Sequence, residues 1–210
     1  MEGEGRSQSE LWDSLYSSNP RAWKGNSRIP VPCGGKALDL GCGNGKTVSS
    51  LLDEGFEVIG ADFSEEAVKS CIARFGDSAI FVRADCTSLP FPDGTFDYVT
   101  AVHVVEHLSD AEMVSFASEV QRVLRAGGFL FVRTFDPDDL RSEKRGSSEI
   151  RYICRTTADV EPFFGGFETV SSERVVTPTR FGGDRSRTEC LFRRVRGLSN
   201  YYKGKTIHGA

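Results

Sequence analysis

The 210-residue sequence lacks a hydrophobic run that approaches the roughly 20 residues needed to cross a bilayer. Its first ten residues are polar and contain neither the basic stretch nor the apolar stretch of a signal peptide. We therefore expect a protein without a membrane segment and with a cytoplasmic location. Internal repeats and low-complexity tracts are also absent, and the length is typical of one domain, at roughly 100–200 residues each.

The six cysteines lack the spacing of a metal or redox pair, since no Cys-x-x-Cys sequence is present. We therefore expect free, mostly buried thiols in a reducing compartment and no bound metal. The net charge is −4, but residues 1–140 carry −10 and residues 141–210 carry +6. A basic last third suits either a phosphate-bearing substrate or an ordinary mixed-sign surface, and the sequence leaves both open.

From residue 36 onwards, short apolar runs alternate with amphipathic stretches. The predicted strands lie at 37–40, 57–61, 79–83, 96–102 and 128–135, and the predicted helices at 45–54, 64–75 and 110–124. Strands separated by helices predict right-handed crossovers and a doubly wound, mostly parallel α/β sheet. Two further strands, at 167–176 and 188–195, follow a short helical stretch and are predicted to pair antiparallel at the sheet edge.

The segment before the first strand differs from the rest, because it combines one short helix at 9–17 with a loop rich in proline and glycine. We divide the chain into a cap or lid segment at 1–35, a catalytic domain at 36–196 and a polar tail at 197–210. Trp12 and Tyr16 on the predicted helix are candidate substrate or lid residues. The alternative is that the tryptophans Trp12 and Trp23 only fasten the cap to the domain.

Three glycines at alternate positions follow the first predicted strand and precede a helix. They are Gly41, Gly43 and Gly45. Such a turn brings bare backbone close to a ligand, and Cys42 within it is a further candidate contact. The dinucleotide fingerprint Gly-x-Gly-x-x-Gly demands glycine at position 46, where this chain has Lys46, and the gap of a Walker loop is absent.

Acidic residues end three successive predicted strands, at Asp39, Asp62 and Asp85. Ligands of open parallel sheets bind beyond the carboxyl ends of the strands. Asp62 follows the glycine turn by about 20 residues, where an acid binds ribose hydroxyls, and the adjacent Phe63 suits an adenine face. Asp85, which Cys86 follows, is placed to accept a hydrogen bond from an adenine amino group. A cap would explain any one of these acids, but the three together favour a nucleoside ligand, and our hypothesis is S-adenosylmethionine (SAM).

On these motifs, the chain resembles class I SAM-dependent methyltransferases of the small ubiquinone- and menaquinone-biosynthesis type, over about residues 36–135. Leu89-Pro-Phe, Phe96-Asp-Tyr-Val and Arg122-Val-Leu-Arg-Ala-Gly-Gly-Phe-Leu add to the resemblance. It implies a Rossmann-like sheet of order 3-2-1-4-5-7-6 with strand 7 antiparallel, and SAM as the cofactor. The motifs and the resemblance together assign these residues to the cofactor: Asp39, Gly41, Cys42, Gly43, Gly45, Asp62, Phe63, Asp85, Cys86 and His103.

The stretch from His103 to His107 reads His-x-x-Glu-His, an inverted zinc-protease pattern. A zinc hydrolase is a remote alternative, because no third ligand is evident downstream. The resemblance implies instead that His103 lies beside the cofactor, and that Glu106 and His107 face the methyl-transfer region or brace the loop. Glu106 and His107 are the candidate catalytic residues, although a general base helps only if the acceptor must lose a proton.

The methyl acceptor stays open between a small molecule and RNA. The Gly-Cys-Gly-Asn-Gly-Lys form and the basic last third resemble tRNA wobble-uridine methyltransferases that work with a small zinc-binding activator subunit. The acidic overall charge argues against strong autonomous RNA binding. The alternative from another class is a non-catalytic subunit that binds SAM or a partner on the same fold.

Overall fold

The computed structural model describes residues 6–19, 27–142, 149–179 and 182–195. The predictions for Trp23 and for the tail at 197–210 lie outside these residues. The helices are α1 (Gln8–Ser18), α2 (Lys46–Asp53), α3 (Glu65–Phe75), α4 (Asp110–Val123) and α5 (Thr157–Val160). The strands are β1 (Lys36–Leu40), β2 (Glu57–Asp62), β3 (Ile80–Arg83), β4 (Phe96–Val102), β5 (Leu124–Phe135), β6 (Phe167–Pro178) and β7 (Asp184–Arg194).

The seven strands form one sheet of order β3-β2-β1-β4-β5-β7-β6. Strands β1 to β5 pair in parallel, while β7 lies between β5 and β6 and runs antiparallel to both. The predicted fold class and strand order are therefore confirmed. Because β1 pairs with β2 on one side and β4 on the other, the sheet order reverses at β1, where open α/β sheets bind ligands.

Apolar side chains fill both faces of the sheet. Helices α2 and α3 cover one face, where Leu51 and Cys71 pack with Tyr98. Helix α4 covers the other face, where Phe116 packs with Leu38. Burial on both faces explains why the central strands read as nearly continuous apolar runs rather than as alternating ones.

Several boundaries differ from prediction: β5 begins at Leu124 rather than at 128, and β7 begins at Asp184 rather than at 188. The helix predicted at 110–124 ends at Val123, because the chain pairs with β4 at once: Leu124 lies opposite Phe96, and a register shift follows. The helical stretch expected before the edge strands is only α5, continued by a 3-10 turn at Glu161–Phe164. Short-range propensity does not reveal the early start of β5, since this start depends on pairing with β4.

Helix α1 begins with a capping box, in which the Ser7 hydroxyl accepts from Glu10 N and the Glu10 carboxylate accepts from Ser7 N. It packs against α3, and the Asp13 carboxylate accepts a 2.6 Å hydrogen bond from the Ser64 hydroxyl at the start of that helix. The helix is thus fixed above the carboxyl end of β2. None of the helices that the structure describes has the length and apolar content of a membrane crossing.

Candidate functional site

The glycine turn joins β1 to α2 at the point where the sheet order reverses. Gly41, Gly43 and Gly45 all have positive φ values, of 62°, 53° and 78°. A Cβ atom at Gly41 would lie 2.5 Å from Val104 Cγ2, and one at Gly45 would lie 2.2 Å from Phe75 Cε2. Both the backbone conformation and the neighbouring side chains therefore demand glycine here.

A pocket of about 800 Å³ opens beyond the carboxyl ends of β1, β2 and β3. Of the residues predicted to bind the cofactor or form the lid, it is lined by Trp12, Tyr16, Gly41, Asp62, Phe63, Asp85, Cys86 and His103. Apolar walls come from Leu40, Ala61, Ala84 and Leu108. Residues from distant parts of the sequence thus meet at one edge of the sheet, as the strand-end pattern predicted.

Asp62 is the best-anchored acid of this pocket. Its Oδ2 accepts from Gly43 N at 2.9 Å and its Oδ1 accepts from Ser64 N at 2.9 Å. Burial raises the pKa of Asp62 to about 6, and these two backbone donors oppose the rise. The carboxylate therefore links the glycine turn to the start of α3 and still faces the pocket.

Asp39 occupies a different position from the other two acids. It is buried beneath the turn, is absent from the residues that line the pocket, and its Oδ1 accepts from Thr100 Oγ1 at 2.7 Å. Burial raises the pKa of Asp39 to about 7. Asp85 is exposed at the pocket rim, where its Oδ1 caps a turn by accepting from Thr87 N at 2.8 Å.

A second cavity, of about 1000 Å³, adjoins the first and shares Trp12, Tyr16, Gly41, His103 and His107 with it. Cys42 and Gly43 also line it, together with Glu106. Gly45 lines neither cavity. The glycine turn thus forms a common wall between the two spaces.

His103 stands at the junction of the two cavities. It is the only non-glycine residue with positive φ among those that the structure describes, at 62°. Its ring stacks on Phe135 with centroids 4.1 Å apart, and its Nδ1 lies 2.9 Å from Glu106 Oε1. A left-handed conformation in a bulky residue stores strain, which often marks a functional position.

Glu106 is fully buried behind His103, and its second oxygen accepts from Thr134 Oγ1 at 3.0 Å. Burial alone would raise the pKa of Glu106, but His103, His107 and a backbone hydrogen bond together outweigh this effect, so the pKa is lowered. An ionised carboxylate has no proton to donate, so His103 Nδ1 is the donor. Neutral His103 then has Nε2 as its acceptor nitrogen.

His107 lies further along the same turn, under α1. Its Nδ1 donates to the Arg151 carbonyl at 2.6 Å, and its ring makes edge contacts with Trp12 and Tyr152 at 4.9 and 4.7 Å. The stretch around it is a single 3-10 turn, Val105–His107, so the two histidines do not share one face of an α-helix. Within the described part of the chain, no group of three or more potential ligands is arranged to hold a metal ion.

Trp12 and Tyr16 bring α1 over both cavities and are 8% and 7% exposed. The Tyr16 hydroxyl lies 2.6 Å from the position that a Cβ of Gly43 would occupy. The helix therefore rests directly on the glycine turn. The two predicted roles of these residues, fastening the cap and covering the site, are compatible in this geometry.

Sequence reasoning missed several residues of the second cavity. They are Lys46, Arg133, Phe135, Arg141, Tyr152, Arg185 and Arg187. The alternation Arg185-x-Arg187 in β7 and the basic last third were the available signals. Neither signal shows that β7 lies beside β5, and the pairing of these two strands brings the arginines to the cavity.

The chain is similar in sequence to a known domain family and to curated proteins. Residues 38–132 match the model of a methyltransferase domain family. A demethylmenaquinone methyltransferase of Beutenbergia cavernae is 42% identical over 102 residues, which cover 49% of this chain and 41% of that protein. The chain spans about half the length of the first curated relatives that it matches.

Solved structures share the whole fold at low identity. A SAM-dependent methyltransferase of Methanosarcina mazei has a TM-score of 0.67 and 22% identity, over 76% of this chain and 92% of that one. A Haloferax volcanii complex between the Trm112 methyltransferase activator and a methyltransferase gives 0.68 and 19%, over 89% and 90%. The strand order β3-β2-β1-β4-β5-β7-β6 and these likenesses show the fold, and residues 38–132 are similar to the methyltransferase domain family.

Proposed function

We propose that the protein binds SAM in the pocket beyond β1 to β3 and transfers its methyl group to a small-molecule acceptor in the second cavity. The observation that carries this proposal is the junction of the two cavities at Gly41 and His103, beneath Trp12 and Tyr16. Two adjoining spaces under one helix hold a donor and an acceptor next to each other. Positioning of this kind supplies much of the rate of a group transfer.

The residues of the first pocket fit SAM by their chemistry. Asp62 offers a carboxylate to ribose hydroxyls, Phe63 and Ala84 offer apolar surface to adenine, and Asp85 is at the rim for its amino group. Gly41 is exposed and has no side chain, so it leaves space for the ligand where the first pocket adjoins the second cavity. When bound, SAM supplies an electrophilic methyl group on a sulfonium.

His103 is the general base in this proposal, and Glu106 is its positioning residue. Glu106 is buried and reaches the cavity through His103, with which it shares the 2.9 Å contact. The ionised carboxylate keeps the proton on Nδ1 and so keeps Nε2 as the basic nitrogen. His107, in contact with Trp12 and bonded to Arg151, shapes the wall between α1 and the site.

The nature of the acceptor is proposed from the site and the relatives. Aromatic side chains of Trp12, Tyr16 and Tyr152 cover the cavity, which favours a compact acceptor over an RNA strand. Relatives include enzymes named for methylation of demethylmenaquinone and of 27-O-demethylrifamycin SV. A cytoplasmic location remains part of this proposal, tested by cell fractionation.

An RNA acceptor with a small activator subunit is the second candidate. The similarity to the Haloferax volcanii complex with the Trm112 activator favours it. Label that enters RNA only when such an activator is present would support this candidate against the small-molecule one.

Calorimetry with SAM and transfer of labelled methyl into fractionated cell extract test the proposal together. We expect heat of SAM binding and label in a small-molecule fraction. Absence of SAM binding would contradict the proposal at its first step. SAM binding without label in the small-molecule, RNA or protein fractions would favour the non-catalytic subunit instead.

A further inference from the structure

The second cavity is strongly cationic. Five basic side chains line it: Lys46, Arg133, Arg141, Arg185 and Arg187. Among the described residues that line it, Glu106 is the sole carboxylate, and it accepts a hydrogen bond from His103. This excess of positive charge would not help the cavity to bind a neutral acceptor.

Strand pairing explains why the arginines converge. Side chains two residues apart lie on the same face of a strand, so Arg185 and Arg187 of β7 face the same way. Phe135 of β5 lies opposite Arg187, and Arg133 lies opposite Glu189. Antiparallel pairing thus brings both strands' basic residues to the carboxyl end of β5, next to Lys46 at the start of α2.

Some of this charge is neutralised within the protein. Arg133 Nε lies 2.8 Å from Glu189 Oε1, and Arg185 Nε lies 2.7 Å from Asp139 Oδ2. The structure shows no such carboxylate for Lys46 or Arg187 among the residues that it describes. Arg187 Nη2 donates to Thr177 Oγ1 at 2.7 Å, while its buried Nε has no hydrogen-bond partner in the described chain.

Lys46 and Arg187 are also the cations whose charged forms are disfavoured by burial and by repulsion from neighbouring arginines. Burial lowers the pKa of Lys46, and the nearby charges of Arg133, Arg187 and Arg185 lower it further. Burial also lowers the pKa of Arg187, and the charges of Arg133 and Arg185 add to this effect, while the carboxylates of Glu189 and Asp139 oppose it in part. Charges that are partly withdrawn from water are ordinarily paired, so two half-buried cations with no carboxylate in ion-pair contact among the described residues indicate an anionic partner from outside the chain.

We propose that the methyl acceptor carries an anionic group, a carboxylate or a phosphate, which binds between Lys46 and Arg187. The inference rests on the proposed function, since it is there that this cavity is assigned to the acceptor. Arg187 and Lys46 line the same cavity, where the guanidinium offers a charged hydrogen-bond donor to one oxygen of the anion and the ammonium offers a point charge to another. The group orients the acceptor toward His103.

Anion binding is measured by calorimetry on the full chain at constant ionic strength, with and without S-adenosylhomocysteine. The probes are inorganic phosphate and succinate. We expect at least one probe to bind, and Arg187→Gln and Lys46→Gln each to weaken that binding about tenfold or more, because each removes a charge-assisted hydrogen bond. Arg193→Gln is the matched control, since Arg193 lies exposed on the same strand and remote from the cavity.

The outcomes separate this inference from the proposed function. Equal binding of the probes to the wild type and all variants would overturn the inference, as would absence of binding to the wild type. Failure of S-adenosylhomocysteine to bind would count against the proposed function, while the anion titrations alone would still decide the inference. Arg187→Lys keeps the charge, so it should retain more anion affinity than Arg187→Gln and shows that loss of folding is not the cause.

Extract fractions that accept labelled methyl are used to decide whether the anionic group of the acceptor is a phosphate or a carboxylate. Fractions retained on an anion exchanger at pH 7 should contain the acceptor. Loss of acceptance after phosphatase treatment would identify a phosphate. Resistance to phosphatase, with loss of retention at pH 3, would identify a carboxylate, which is protonated at that pH. Acceptance found only in unretained fractions would contradict an anionic acceptor.

Discussion

At the scale of single residues, the carboxylate of Asp62 has two functions in one position. It accepts hydrogen bonds from the backbone of the glycine turn and of the α3 start, and it also faces the pocket beyond β1 to β3. A carboxylate already held by two backbone donors loses little freedom when it binds a hydroxyl. Its geometry is therefore fixed before a ligand arrives, which suits the ribose contact that we propose for it.

We expect Asp62→Ala to weaken SAM binding by about 1–3 kcal/mol, the usual effect of removing a buried hydrogen-bond partner. Calorimetry gives the affinity directly. The control is Asp77→Ala, because Asp77 is exposed in the turn after α3. Unchanged affinity of the Asp62 variant would show that the ribose binds elsewhere.

The two histidines of the His-x-x-Glu-His stretch provide a matched pair. His103→Gln should slow transfer of labelled methyl about 10²–10⁴-fold, the usual effect of a lost general base, with a smaller change in SAM affinity. His107→Gln should slow it less, because His107 contacts α1 and the Arg151 carbonyl. A larger loss in the His107 variant would reverse these roles.

At the scale of elements, helix α1 decides how the site is enclosed. Asp13 links it to α3 by accepting hydrogen bonds from the Ser64 hydroxyl and from Glu66 N, and the apolar side chains of α1 cover both cavities. The sequence predicted the helix itself from its apolar spacing. It did not predict that the helix would rest on the glycine turn, because docking depends on residues far away in the chain.

Asp13→Ala should release α1 and leave the sheet intact. We expect faster hydrogen exchange of the α1 amides and SAM affinity lower by about 1 kcal/mol, because the carboxylate that accepts from the Ser64 hydroxyl and from Glu66 N is lost. Ser17→Ala, at an exposed position of the same helix, is the control. Exchange rates equal to those of the wild type would show that apolar packing alone holds the helix.

At the scale of the whole molecule, the buried acids link stability to pH. Burial raises the pKa of Asp39 from 3.8 to about 7, so between these values the folded protein holds a proton that the unfolded chain releases. The free energy of unfolding therefore falls as pH rises through this window. Asp62, with a pKa raised to about 6, adds to the same trend.

Urea denaturation of the ligand-free protein at pH 5, 6, 7 and 8 measures this dependence. We expect stability to decrease over the series and the decrease to be smaller in Asp39→Asn, which has no charge to bury but keeps an oxygen for Thr100. An equal pH dependence in wild type and variant would show that Asp39 is not the source.

By itself, the sequence determined the alternation of strands and helices, the glycine turn and the acids at strand ends, because these are local patterns of chain conformation. The strand order then followed by resemblance and is confirmed. Only the tertiary structure decided that Asp39 lies beneath the turn while Asp62 faces the pocket. It also decided that His103 stands between the two cavities, and that Lys46 and Arg187 line the second of them. These relations depend on strand pairing and helix docking over long sequence separations, and no local pattern encodes them.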